Sequence, residues 1–129
     1  MIWVDIVGLL AVVQLFIFGV LVGRARGRYG IAAPATTGHP IFERYYRVQM
    51  NTVESLLVFL PGLWVSAKYW PPGYSALLGV VYLAGRFLYL NAYVADPKKR
   101  SVGFSLTMLP ALVLVVAALV GALRALSKG

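Results

Sequence analysis

The sequence predicts an all-α membrane protein, a single bundle of four transmembrane helices, and three observations carry that expectation. Of its 129 residues, 60% are hydrophobic and the mean hydropathy is +0.80, more apolar material than one water-soluble core can hide. The apolar residues fall into four runs, each near the roughly 20 residues that cross about 30 Å of hydrocarbon at about 1.5 Å per residue. The basic residues behind the formal charge of +8 stand beside these runs, not along one exposed face. That placement argues against a nucleic-acid partner and explains the charge by membrane topology.

The first span is expected over residues 2–23, stopping at Arg24, Arg26 and Arg28. No positive charge precedes it between Met1 and Asp5, and no small-residue cleavage site follows it. It therefore reads as a retained span and not as a signal peptide. The second span is expected over 44–70, where Pro71, Pro72 and Gly73 force a turn because proline has no backbone donor. The third covers 74–95 and ends at Asp96 and Pro97; the fourth covers 102–126, with Pro110 inside it as an expected kink. Together they make one domain over residues 1–129. Gly8, Gly19, Gly23, Gly79 and Gly85 should let neighbouring helices approach closely.

Orientation follows from the connections. The first holds Arg24, Arg26 and Arg28, with Arg44 and Arg47 where the second span begins, and the third holds Lys98, Lys99 and Arg100. The opposite end offers Lys68, Arg124 and Lys128. Positive charge stays inside, so loops one and three are expected in the cytoplasm with both termini outward. Trp3, Trp64, Tyr69, Trp70 and Tyr74 gather toward the outer ends, where amphipathic rings favour the interface. The short length and short loops point to a bacterial inner membrane.

Several chemistries are excluded. With no cysteine, the chain has no disulfide, thiolate metal site or cysteine nucleophile, and any thiol must arrive with a substrate. His39 lies in a loop between Gly38 and Pro40 and reads as solvated, and Thr36 and Thr37 read as loop. One histidine and four acidic residues do not make a metal-ligand set, so no metal is expected. There is no phosphate-binding glycine loop and no catalytic triad.

The informative residues are the polar ones inside the spans. Arg47, Asn51 and Glu54 are spaced i, i+4 and i+7 on one face of the second helix, with Gln49 well round from them. Arg86, Tyr89 and Tyr93 repeat the pattern on the third. Glu54 and Arg86 lie at matching depths of about 15 Å and about 14 Å from the basic end. A lone charge there costs at least roughly 2.5 to 3.5 kcal/mol, so a Glu54–Arg86 ion pair is expected, either structural or functional. Arg26, Arg44, Arg47 and Arg100 collect at the same end, and that many rigid guanidinium forks suit the carboxylates of a small anion. Tyr89 and Tyr93 can donate hydrogen bonds to the same guest.

The run from Glu43 to Glu54 (ERYYRVQMNTVE) and the run from Gly79 to Tyr93 (GVVYLAGRFLYLNAY) together resemble the membrane-associated proteins in eicosanoid and glutathione metabolism. The likeness is greatest to the leukotriene C4 synthase and microsomal glutathione transferase branch, and it covers about residues 33 to 100 beyond hydropathy alone. The resemblance implies a homotrimer with glutathione held between subunits near the cytoplasmic face. By position it assigns Arg47, Asn51, Glu54, Arg86, Tyr89, Tyr93 and Arg100 to the glutathione site, and Arg26 and Gln49 to the share given by an adjacent subunit. It also implies that Arg100 stabilises the glutathione thiolate. The thiolate would then be conjugated to a lipophilic electrophile or used to reduce a lipid hydroperoxide, the second substrate arriving through the membrane lipid. Ser55 stands where the leukotriene synthase has a tyrosine, and Gly27 where it has a second arginine, which points away from leukotriene synthesis. The competing readings are a non-catalytic lipid-binding or scaffold member of that family, and a small transporter built on the Glu54–Arg86 pair.

Overall fold

The computed structural model describes all residues from Met1 to Gly129. It contains α1 (Ile2–Tyr29), α2 (Pro40–Tyr69), α3 (Pro72–Ala95), a single 3-10 turn at Pro97–Lys99, and α4 (Ser101–Lys128). All four helices are long and apolar enough to cross a membrane. The outward-facing side chains suit that solvent: Phe16 is 75% exposed, Leu57 73% and Leu126 75%, which is costly in water and costs nothing in lipid.

The helices outrun the apolar runs that revealed them. The first does not stop at residue 23 but carries Arg24, Arg26 and Arg28 through a further turn to Tyr29. Arginine is a good helix former, and a cation near the C-terminus complements the helix dipole. Gly30 ends the helix with φ 68°, its N–H donating to the Arg26 carbonyl, a left-handed geometry that glycine adopts at no steric cost. The second helix begins at Pro40 rather than 44. Pro40 occupies its first turn, where the missing N–H would be unpaired anyway. His39 is thus not a solvated loop residue: it is the N-cap, its Nδ1 accepting from the Ile41 N–H at 3.1 Å, and its ring stacks on Tyr29 at 3.8 Å. Both α2 and α4 continue past their internal prolines, Pro61 and Pro110.

Helix α4 packs along both α2 and α3, and α1 packs on the other side of the same pair. Between α3 and α4 the approach is backbone to backbone. A Cβ on Gly103 would stand 2.5 Å from the Tyr89 nitrogen, and one on Gly85 would stand 2.8 Å from the Leu106 carbonyl carbon. Gly8 and Gly79 are similarly filled by Trp64 and Val7, whereas Gly23 faces open space and makes no helix contact. The main apolar core includes Val4, Ala11, Phe59, Leu63, Tyr82 and Leu114. A smaller cluster of Phe18, Val48, Tyr89 and Leu90 carries the bundle toward the basic end, so the site described next rests on a packed floor.

Within the apolar interior, polar side chains tie helices together. Gln14 Nε2 donates across to the Leu83 carbonyl at 2.9 Å, Ser66 and Ser75 share a 2.8 Å hydrogen bond, and Trp70 Nε1 donates to the Ala117 carbonyl at 2.7 Å. At the surface of the bundle, Trp64 Nε1 donates to the exposed Asp5 carboxylate at 2.8 Å. Each satisfies a group that hydrocarbon cannot.

Candidate functional site

Arg47, Met50, Asn51 and Glu54 stand in one stripe along α2 at the three- and four-residue spacing of a helix face. Tyr89 and Tyr93 form the facing stripe on α3, their rings 5.5 Å apart. Arg100 closes the third side at the N-cap of α4. These seven residues line one cleft of about 350 Å³ at the basic end of the bundle. Arg100 is held by a 3.0 Å bond from its Nη1 to the Pro97 carbonyl. Because it caps α4, an anion beside it also meets the positive end of that helix dipole. Gly103, three residues on, lets α4 lie against the backbone of Tyr89, bringing Arg100 to the tyrosines.

Arg86 stands behind this cleft and not in its lining. Its side chain is fully buried. Nη1 donates to Asn51 Oδ1 at 3.0 Å, Nη2 donates to Thr52 Oγ1 at 2.7 Å, and the guanidinium lies 4.5 Å from the centre of the Tyr89 ring. Nε has no partner. The expected ion pair with Glu54 does not form: Arg86 reaches the face of α2 that carries Asn51 and Thr52, while Glu54, about 200° round from Thr52, is exposed and lines the cleft. A buried guanidinium without a carboxylate is thus held at both Nη atoms by neutral acceptors and left with its Nε–H unpaired. It fixes the Asn51 amide and sets a net positive charge behind the cleft.

The network continues inward. Thr52 Oγ1 donates to the Val48 carbonyl at 2.7 Å, Ser55 Oγ donates to the Thr52 carbonyl at 3.0 Å, and Ser55 and the Tyr82 hydroxyl share a 2.7 Å bond. Tyr82 stacks on Phe59 at 3.9 Å. Ser55 therefore serves the interior and not the cleft. Gly27 is open on all sides.

The remaining basic residues diverge. Arg44 Nη1 donates to the Val94 carbonyl at 2.9 Å, capping the C-terminal end of α3. Arg26 Nη1 donates to the Ala35 carbonyl at 2.7 Å, and its guanidinium lies 4.9 Å from the Phe42 ring centre. Gln49 opens into a separate groove of about 480 Å³ walled by Val12, Phe16 and Val20 of α1. Neither Arg26 nor Gln49 lines the cleft. Three residues went unremarked in the sequence or were read as loop. Met50 lines the cleft, and Thr36 and Thr37 line an adjoining one of about 220 Å³ that shares Arg47 and Met50. Met50 was findable, three residues on from Arg47 on the same stripe; the threonines were not, because only the fold returns their loop to α2. No three His, Cys, Asp or Glu side chains come together as a metal site.

Fold and site define an integral, multi-pass helical membrane protein with a cationic, hydroxyl-rich cleft at one end. The cleft's two guanidinium groups can pair with carboxylates. The sequence profile of the MAPEG family matches residues 5–120, and the chain belongs to that family. It is 46% identical over 123 residues to an uncharacterized protein of Synechocystis sp., covering 95% of this chain and 90% of the relative. It is 40% identical over 102 residues to microsomal glutathione S-transferase 2 of Homo sapiens, covering 79% of this chain and 69% of that one. With leukotriene C4 synthase of Cavia porcellus it shares 41% identity over 102 residues, 74% of this chain and 68% of the relative.

Proposed function

We propose that this protein is a membrane-bound glutathione transferase with glutathione peroxidase activity, working as a homotrimer with its cleft on the cytoplasmic side of a bacterial inner membrane. The observation that carries this reading is the make-up of the cleft between α2, α3 and Arg100: Arg47 and Arg100 for carboxylates, Glu54 for an ammonium, and Asn51, Tyr89 and Tyr93 for amide and thiol groups. Glutathione offers that set, two carboxylates, one ammonium and one thiol. The similarity to microsomal glutathione S-transferase 2 supports it. Arg26 and Gln49 are left for a neighbouring subunit, in keeping with the position of Gln49 in an exposed apolar groove on α1.

The chemistry follows from charge. A free thiol has a pKa of about 8.5 and is mostly protonated at neutral pH. The Arg100 guanidinium and the N-terminal end of α4 favour the thiolate, the nucleophilic form. The thiolate attacks an electrophilic carbon of a lipophilic substrate and expels its leaving group, forming a thioether. With a lipid hydroperoxide it attacks the terminal oxygen and releases the alcohol; a second glutathione then displaces hydroxide from sulfur, giving the disulfide and water. The second substrate enters from the bilayer.

The test is calorimetric titration of the purified protein with glutathione, followed by turnover with a reactive aryl halide and with a lipid hydroperoxide, on wild type and Arg100→Ala. Binding with turnover is expected in the wild type, and binding with little turnover in the variant. Binding without turnover in the wild type would instead indicate a non-catalytic, lipid-binding member of the family, and absence of binding would reject the site.

A further inference from the structure

We infer that the cleft between the basic end of α1 and the first turns of α2 is a binding site for the phosphate group of an anionic phospholipid. This cleft, of about 190 Å³, is lined by Arg24, Arg28, Tyr29 and Tyr45 together with the apolar Leu21 and Ile41. At roughly 30 Å³ per water it has the capacity of about six waters, room for a phosphate and its oxygens but not for a whole lipid.

Three observations converge on that ligand. The first is that the polar groups here are free. Arg26, Arg44, Arg86 and Arg100 all donate to oxygens of the chain, but Arg24 and Arg28 form no hydrogen bond or ion pair, and neither do the hydroxyls of Tyr29 and Tyr45. The Arg28 guanidinium is steadied 5.6 Å from the centre of the Tyr29 ring, itself stacked on the N-cap His39. Arg24 and Arg28, one turn apart on α1, present two forks to the same opening.

The second observation is the level. From Ile2 to Val22 the apolar part of α1 rises about 30 Å, the thickness of the hydrocarbon core. Arg24 and Arg28 then lie about 3 Å and about 9 Å beyond it, within the headgroup layer, while Leu21, on the membrane side of the cleft, gives an acyl chain an apolar wall. The third is charge. No carboxylate lines the cleft, and the nearest acidic residue in α2, Glu43, lines a different one, where its Oε2 accepts from the Gly38 N–H at 3.3 Å. The site has two positive charges and nothing to balance them, which favours a lipid with net negative charge over a zwitterionic one, whose ammonium would meet the arginines. It shares no residue with the cleft at Arg47 and Arg100, so it stands apart from the proposed glutathione chemistry.

The experiment uses the full chain, purified in a neutral detergent and titrated with phosphatidylglycerol, with phosphatidylcholine and with inorganic phosphate. Retained lipid is counted by native mass spectrometry. Phosphatidylglycerol is expected to be retained about tenfold better than phosphatidylcholine, and Arg24→Gln/Arg28→Gln should abolish the difference. Lys98→Gln/Lys99→Gln, which removes the same charge outside the cleft, should leave retention within about twofold of wild type. Arg24→Lys/Arg28→Lys keeps the charge and the topology signal, so it should insert and fold even if the glutamine pair does not. Retention in it should fall about threefold, because the paired guanidinium donors are lost. Equal retention of the two lipids in wild type would overturn the inference. So would an equal loss from the two glutamine pairs, unchanged retention in the lysine pair, or displacement of phosphatidylglycerol by inorganic phosphate.

Discussion

Replacing Arg86 by methionine removes a full charge from the interior of the bundle, and the structure says the cost falls on ligand affinity and not on the fold. Arg86 is completely buried and gives two hydrogen bonds to α2. Interhelical bonds of this kind in membranes contribute on average about 0.6 kcal/mol and at most about 1.7, so their joint loss costs roughly 1 to 3 kcal/mol. Against that, the substitution recovers the roughly 2.5 to 3.5 kcal/mol that a charge at mid-helix costs on insertion. Of the two acceptors left behind, Asn51 borders the cleft and can turn to water, while Thr52 keeps its own bond to the Val48 carbonyl. The folded bundle should therefore change by no more than about 1 to 2 kcal/mol. In the cleft, however, Asn51 loses its anchor and the ligand loses a buried positive charge. One charge-assisted interaction of about 1.5 to 3 kcal/mol corresponds to a glutathione Kd raised roughly 10- to 150-fold. Calorimetry on Arg86→Met reads the affinity, and thermal unfolding followed by circular dichroism reads the bundle. Unchanged affinity, or a bundle that no longer forms, would refute the assignment of Arg86 as a positioning residue.

Other outcomes follow from the same geometry. In a double-mutant cycle, Arg86 and Asn51 should couple by about 0.5 kcal/mol or more, whereas Arg86 and Glu54, which form no ion pair, should be additive within about 0.5 kcal/mol. Arg100→Ala should cut glutathione turnover at pH 7 about tenfold and move the rise of the pH–rate profile toward the free-thiol value near 8.5, with substantial recovery at pH 9; an unshifted profile would deny Arg100 contact with the thiol. Gly103→Val should destabilise by roughly 1 to 3 kcal/mol, because its side chain meets the backbone of Tyr89. It should lower turnover as well, by moving Arg100, and both effects are measurable on one preparation. Tyr82→Phe should cost about 1 kcal/mol of stability by removing the buried hydrogen bond shared with Ser55, whose hydroxyl keeps only its bond to the Thr52 carbonyl, with glutathione affinity unchanged.

How far the sequence reached depended on whether a feature was local. The four spans were legible because their apolar runs and their punctuation by arginine, proline and glycine are one-dimensional, and hydrocarbon thickness fixes their length. Their ends were not, since a helix continues past the membrane wherever its residues favour it, as Arg24 to Tyr29 do, and a cap such as His39 depends on one imidazole meeting one N–H. The two cleft-lining stripes, with Arg47, Asn51 and Glu54 on one and Tyr89 and Tyr93 on the other, were legible because the helical period alone puts their members on one face. Matching depth also suggested that Glu54 and Arg86 would meet. Depth, though, says nothing about azimuth. Only the tertiary structure set the rotation of α3 against α2, turning Arg86 into the interior toward Asn51 and Thr52 and leaving Glu54 to the cleft. Both helices are seated against α4, α3 by close approaches at Gly85 and Gly103 and α2 by one at Gly62, together with shape-matched contacts among many residues, which no single stretch of chain encodes.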